Sequence, residues 1–152
     1  MRPRSHEPDY AALAEFRYRI RVFLTTSEHA ARSAGIEPEQ YQLLLAIRGM
    51  LSGQIATIHA LAERLQVRHN TAVERIDRME KLGLVKRVRS DEDRRSVIVT
   101  LTPRGRRIFE KLARQRLREL RESGPELVAA LSKVISSARH IAKHRASPNG
   151  RH

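Results

Sequence analysis

"EKLGLVKRVRSDEDRRSVIVTL", residues 80–101, changes its period part-way along. Up to Leu82 the apolar residues recur at helical steps, and Gly83 stands where a left-handed helix C-cap belongs. "LVKRVRS" and "SVIVTL" are then rich in β-branched residues, with the five residues DEDRR between them. That pattern predicts a β-hairpin. Its tip gathers Asp91, Glu92 and Asp93 in a chain of formal net charge +13, directly before Arg94 and Arg95. Aspartate suits a turn, and a carboxylate two residues before Arg95 can lie beside its guanidinium and fix its direction.

Upstream of the hairpin, "HNTAVERIDRMEKLG" carries Ala72, Val73, Ile76, Met79 and Leu82 as one buried stripe. A shorter helix, "TIHALAERL", precedes it, with Thr57 as its expected cap and Ile58, Leu61, Ala62 and Leu65 on one face. Two short helices joined by a tight turn make a helix-turn-helix, and the hairpin adds a wing. Further out, Tyr10, Leu13, Phe16, Ile20, Phe23 and Leu24 mark a first helix that Gly35 ends, and Pro38 opens a second. Past the hairpin, Thr102 caps a helix starting at Pro103, and Gly124-Pro125 is expected to break it before a last helix.

The expected fold is therefore mostly α with a small β-hairpin wing: a winged helix-turn-helix between N- and C-terminal dimerisation helices. Residues 1–36 form the N-terminal dimerisation helix, 37–101 the DNA-binding lobe, 102–145 the C-terminal dimerisation helices and 146–152 a disordered tail. Apolar stripes at both ends of the chain suggest pairing with each other and with a second copy, since one helix cannot bury its stripe alone.

Composition narrows the function. Lys and Arg number 30 against 17 Asp and Glu. Such a surplus favours a polyanion, meaning nucleic acid or an anionic membrane surface. No apolar run is long enough to span a bilayer, and "MRPRSHEPDY" lacks the apolar core of a signal peptide, so a cytoplasmic protein is expected. The chain has no cysteine, which removes disulfides, thiolate metal sites and thiol redox sensing. No nucleophile elbow, phosphate loop or HExxH pattern is present, so neither enzyme activity nor a cofactor is expected. His140 and His144 share a helix face but lack further ligands at metal-binding spacing, and no metal is expected.

The candidate DNA contacts follow from side-chain chemistry. Arg68, His69, Asn70 and Thr71 open the second helix of the helix-turn-helix, with Glu74, Arg75 and Arg78 beyond them. Arg suits guanine, Asn suits adenine, and Thr can reach a thymine methyl or a phosphate. Asn70 is equally able to cap the helix. Glu74 either accepts from a cytosine amine or holds Arg75 or Arg78. Lys86, Arg87 and Arg89 lie along the first wing strand, where they suit phosphate contacts. Asp93, Arg94 and Arg95 form the tip, and an arginine there suits the negative potential of a minor groove.

"LAERLQVRHNTAVERIDRMEKLGLVKRVRSDEDRRSVIVTLTPRG", Leu61 to Gly105, resembles the DNA-binding lobe of the MarR family of transcriptional regulators. "DRMEKLGLVKR" and "DEDRRSVIVTLTPRG" carry the likeness. The resemblance implies a homodimeric repressor on a palindromic double-stranded operator, with recognition helices in major grooves and wings in minor grooves. It also implies release by a small aromatic or phenolic effector, and it assigns Asp93 and Arg95 to an Asp-x-Arg wing motif. Aromatic and His groups that suit a planar ligand are Tyr18, Phe23, His29, Tyr41 and Phe109. Two positions depart from the family pattern. Gln66 stands where the turn often has Gly, and Arg68 where a small capping Ser is usual, so the helix is expected to start at Asn70 or Thr71. The competing reading is an architectural protein that binds DNA through charge without sequence preference.

Overall fold

The computed structural model describes residues 8–50, 54–93 and 95–145, with side chains through residue 138. Along the chain run α1 (Tyr10–Ser33), α2 (Pro38–Arg48), α3 (Ile58–Leu65), α4 (His69–Lys81), β1 (Val85–Arg89), β2 (Val97–Leu101) and α5 (Pro103–Arg145). Punctuation read from the sequence appears in place. Gly35 has φ +82 and Gly83 φ +69, the left-handed region where a side chain costs energy. Pro38 is the first residue of α2, where its missing N–H removes no helical bond. Thr57 Oγ1 accepts the Ala60 N–H at 3.2 Å and caps α3. Thr102 Oγ1 accepts the Gly105 N–H at 3.1 Å and donates to the Gly83 carbonyl at 2.6 Å, tying the start of α5 to the end of α4.

The chain divides into two compact units. Ser27–Arg116 holds the helix-turn-helix and hairpin; among the described residues, 8–26 and 117–145 make the other. Both boundaries fall inside helices, α1 and α5. In Ser27–Arg116 the core is Leu43 and Leu44 of α2, Leu61 of α3, Ile76 and Met79 of α4, Val85 and Val99 of the hairpin and Leu112 of α5, all essentially inaccessible. The strands pair antiparallel with Val85 opposite Leu101 and Arg89 opposite Val97. A single bridge, Thr57 to Ile98, adds the segment before α3 to the hairpin edge, with the Val99 N–H donating to the Ala56 carbonyl at 2.9 Å.

In the other unit Ala12 and Ala130 are buried, and Arg19 of α1 pairs with Glu126 of α5. Its outer faces keep large apolar groups in the open: Leu13, Leu24, Leu117, Val128, Leu131 and Ile135.

The sequence expected a break at Gly124-Pro125, and there is none. α5 is one helix of 43 residues with Pro125 inside it. Proline removes a helical N–H and costs about 3 kcal/mol in a helix interior. Long runs of good helix formers on either side, "RLREL" and "ELVAAL", outweigh one such defect. The two C-terminal helices expected over 102–145 are therefore one. The tail at 146–152 lies outside the described residues.

Candidate nucleic-acid interface

The turn between α3 and α4 is built without glycine. Gln66 takes φ 54 and ψ 43, and it is the one non-glycine at positive φ among the described residues. Its side-chain amide donates to the Glu63 carbonyl at 2.7 Å, and the Val67 N–H bonds Ala62 O at 3.0 Å. These bonds hold the left-handed residue that glycine would adopt without strain.

α4 starts at His69, with Arg68 extended at the cap position (φ -67, ψ 152) and offering no side-chain cap. The later start expected at Asn70 or Thr71 is corrected, and so is the capping role considered for Asn70. Helical geometry needs no side-chain cap when the first N–H groups face water. With that start, His69 and Asn70 are exposed, Thr71 is half-buried and Ala72 is fully buried. The polar first turn of α4 thus points away from the core.

Further along α4 the charged groups are already engaged. Arg75 is not held by Glu74: its Nε lies 3.3 Å from a carboxylate oxygen of Glu39 on α2. Glu74 stands 3.9 Å from Arg78, one turn on. Asp77 and Glu80 both reach Arg87 of β1. Partial burial pulls the Arg87 pKa down, but its hydrogen bonds to Asp77 and Glu80 outweigh that and raise it above the ordinary arginine value. Glu39, Asp77 and Glu80 were missed in the sequence. Asp77 and Glu80 are three apart, hence on one helix face, which is the signal that could have found them.

Lys86 and Arg89 of β1 and Arg95 at the tip are exposed, with no ion pair among the described residues. Arg94 lies outside the described residues. At the tip the expected pairing of Asp93 with the Arg95 guanidinium does not occur. Asp93 Oδ1 accepts the Arg95 backbone N–H at 3.0 Å, and Oδ2 accepts the Ser96 hydroxyl at 2.9 Å. Those two bonds, the backbone one larger, hold the Asp93 carboxyl below its usual range. A carboxylate so close to its own turn satisfies the nearest N–H before any long flexible guanidinium. Ser90, nearly buried, accepts from the Glu92 and Asp93 N–H groups at 3.3 and 3.4 Å. Ser90 N–H to Ser96 O and Ser96 N–H to Asp93 O, both 2.9 Å, close the loop. The acid run is a hydrogen-bonded turn that leaves the Arg95 side chain in solvent.

Known proteins share this fold. Residues 34–96 match the MarR family model. That segment, less than half of the chain, is similar to the MarR family. The HTH-type transcriptional regulator YsmB of Bacillus subtilis strain 168 is 34% identical over 93 residues, 59% of this chain and 64% of that protein. The chain thus spans less than two thirds of the length of this curated relative. Among solved structures it is similar to AbsC, a MarR family transcriptional regulator from Streptomyces coelicolor, at TM-score 0.66 and 22% identity over 90% of this chain and 93% of that one. It is also similar to FabT of Streptococcus pneumoniae, solved in complex with DNA, at TM-score 0.67 and 22% identity over 90% and 99%. YsmB and AbsC are described as transcriptional regulators.

In the Ser27–Arg116 unit Tyr41 stacks on Phe109, ring centroids 6.3 Å apart and planes at 26°. Burial pushes the Tyr41 hydroxyl up and nearby Arg116 opposes the shift; burial pulls the Arg116 guanidinium down. Both rings belong to the core. His29 is exposed in the same unit, whereas Tyr18, exposed, and Phe23, half-buried, belong to the other. Among the described residues no group of acids and histidines is arranged to hold a metal, and no helix is long and apolar enough to cross a membrane. His140 and His144 have side chains outside the described residues.

Proposed function

We propose that this chain is a sequence-specific, double-stranded-DNA-binding transcriptional regulator of MarR type, acting as a homodimeric repressor. The observation that carries the reading is the exposed first turn of α4. Arg68 at the cap and His69 and Asn70 in the first turn stand clear of the core, on a helix whose opposite face buries Ala72, Ile76 and Met79, and Lys86, Arg89 and Arg95 follow on a wing of the same unit. That is a base-reading helix beside phosphate-binding cations. The FabT structure, which shares the fold, was solved with DNA. Apolar groups left open on α1 and α5 supply the surface a second copy would cover. A small aromatic or phenolic ligand is the effector class we assign to the dimer.

Selection of bound sequences from a random DNA pool tests this reading. It should recover a palindrome whose half-sites lie about one helical turn, ~10 base pairs, apart. A pool that does not enrich while the protein still binds it would favour the alternative, charge-driven architectural binding, which the net charge of +13 also permits. Affinity for the recovered site should exceed that for random DNA by about 10³-fold or more.

A further inference from the structure

Arg87 was expected among the phosphate contacts, and its geometry says otherwise. Its backbone N–H donates to Glu80 Oε1 at 3.0 Å. Its guanidinium donates to Glu80 Oε2 through Nη1 and to Asp77 Oδ1 through Nη2, the latter at 2.6 Å. Three bonds thus run from one residue of β1 to two acids three apart on α4. β1 pairs with β2 on its other side, so its outer edge is the one α4 occupies. Glu80 takes an edge N–H that the two-stranded ladder leaves over.

The charges point the same way. Two carboxylates around one guanidinium sum to −1, a cluster that does not attract phosphate. Acids on a DNA-facing helix oppose binding unless they serve the protein itself. Among the described residues no other ion pair joins α4 to the hairpin. A fork held at both nitrogens has a fixed direction, unlike a single contact to a flexible ammonium.

We propose that Arg87 is a positioning residue: with Asp77 and Glu80 it fixes the angle between the recognition helix and the wing, and so sets how the wing meets the flanking minor groove without touching DNA. The inference rests on the DNA-binding function proposed above. It predicts that flank preference depends on acids that DNA would repel.

The test compares Arg87→Gln, Arg87→Lys and Asp77→Asn with the parent, on the selected operator with A·T-rich or G·C-rich sequence outside each half-site, across a salt series. A brace predicts that all three lose most of the flank preference and about 10-fold in affinity for the A·T-flanked site. The slope of log affinity against log salt stays at the parent value. Asp77→Asn behaves like Arg87→Gln although it changes charge in the opposite direction, and Arg87→Lys behaves like both although it changes no charge. A phosphate contact predicts a different set: a slope shallower by about 0.9 for Arg87→Gln, rescue by Arg87→Lys, and tighter binding by Asp77→Asn. Any of those three results overturns the proposal. Amide exchange without DNA separates this from the function itself. The wing amides of residues 85–89 should exchange at least about 10-fold faster in Asp77→Asn than in the parent, whether or not an operator exists. Unchanged wing exchange removes the brace. A parent that selects no sequence, with wing exchange accelerated as expected, removes instead the DNA-binding function and with it the wing's role on flanks.

Discussion

Asp93 holds Ser96: its Oδ2 accepts the Ser96 hydroxyl at 2.9 Å while its Oδ1 accepts the neighbouring Arg95 N–H at 3.0 Å. Both bonds favour the ionised carboxyl, which lies below its ordinary value of 3.8. A pKa depressed by folding stabilises the turn fully above the unfolded value, and the contribution fades as pH falls through the folded one. The wing tip should therefore keep its order at pH 5 and lose it only below the usual aspartate range. Titration of the Asp93 carboxyl by NMR checks this. A midpoint at or above 3.8 would show that the turn bonds do not hold in solution.

On the proposed function, the same bonds govern how wing variants treat DNA. Asp93→Ala removes both acceptors and leaves the Arg95 backbone unheld, so affinity for a defined operator should fall about 3- to 10-fold at fixed salt. Asp93→Asn keeps an acceptor oxygen for the Arg95 N–H and should cost less. Electrostatics alone predicts the opposite sign, because each change removes a negative charge facing phosphate. Tighter binding by Asp93→Ala would reduce the acid run to a solvated loop.

Much of the lobe was legible because its signals are local. Thr57, Gly35, Gly83, Pro38 and Thr102 act through bonds within a few residues or through their own φ, so their places follow from the sequence. The contacts that were missed are not local. Glu39 meets Arg75 from another helix, and Asp77 and Glu80 meet Arg87 across the turn into β1. The spacing of Asp77 and Glu80 in "DRMEKLGLVKR" puts both on one helix face, but it does not say which cation they will choose. Pro125 fails as a break for a related reason: its local penalty is set against the length of helix on both sides. The Thr57–Ile98 bridge is a single pair with no alternation to betray it.

Gly105 is needed for space rather than for φ. A Cβ there would sit 2.0 Å from the Leu84 carbonyl oxygen, a backbone atom that cannot swing aside. Leu84 O also accepts the Thr102 N–H at 3.1 Å, so moving it loosens the start of α5. Gly105→Ala should destabilise the lobe by about 2–4 kcal/mol, read from urea unfolding. A loss below about 0.5 kcal/mol would mean that α5 and the α4–β1 turn separate freely.

Gln66 offers the opposite case. It stands at φ 54 with an amide bond to Glu63 O at 2.7 Å. Gln66→Gly relieves a left-handed conformation worth roughly 1 kcal/mol and forfeits an exposed hydrogen bond worth less. The variant should unfold at slightly higher urea, with a net gain of up to about 1 kcal/mol. A net loss would rank the side-chain bond above the backbone strain.

The exposed apolar groups of the terminal helices make the strongest demand on a partner. Leu131 and Ile135 remain 40% and 44% accessible, and Val128 64%, all at helical steps along α5. A lone chain gains nothing from leaving them in water, and burial of such side chains is worth about 1.5–3 kcal/mol each. If a second copy covers them, Leu131→Glu puts a carboxylate into an apolar contact, where an unpaired charge costs several kcal/mol. The variant should sediment as a monomer at concentrations where the parent is a dimer. Ile135→Glu should do the same, since it lies one turn further along. Loss of the dimer should also cost operator affinity steeply, because two linked half-sites bind far more tightly than one. Helix content by circular dichroism separates a folded monomer from an unfolded chain. If both variants stay dimeric and keep full operator affinity, the second copy does not sit on this face of α5, and these residues are merely solvent-exposed.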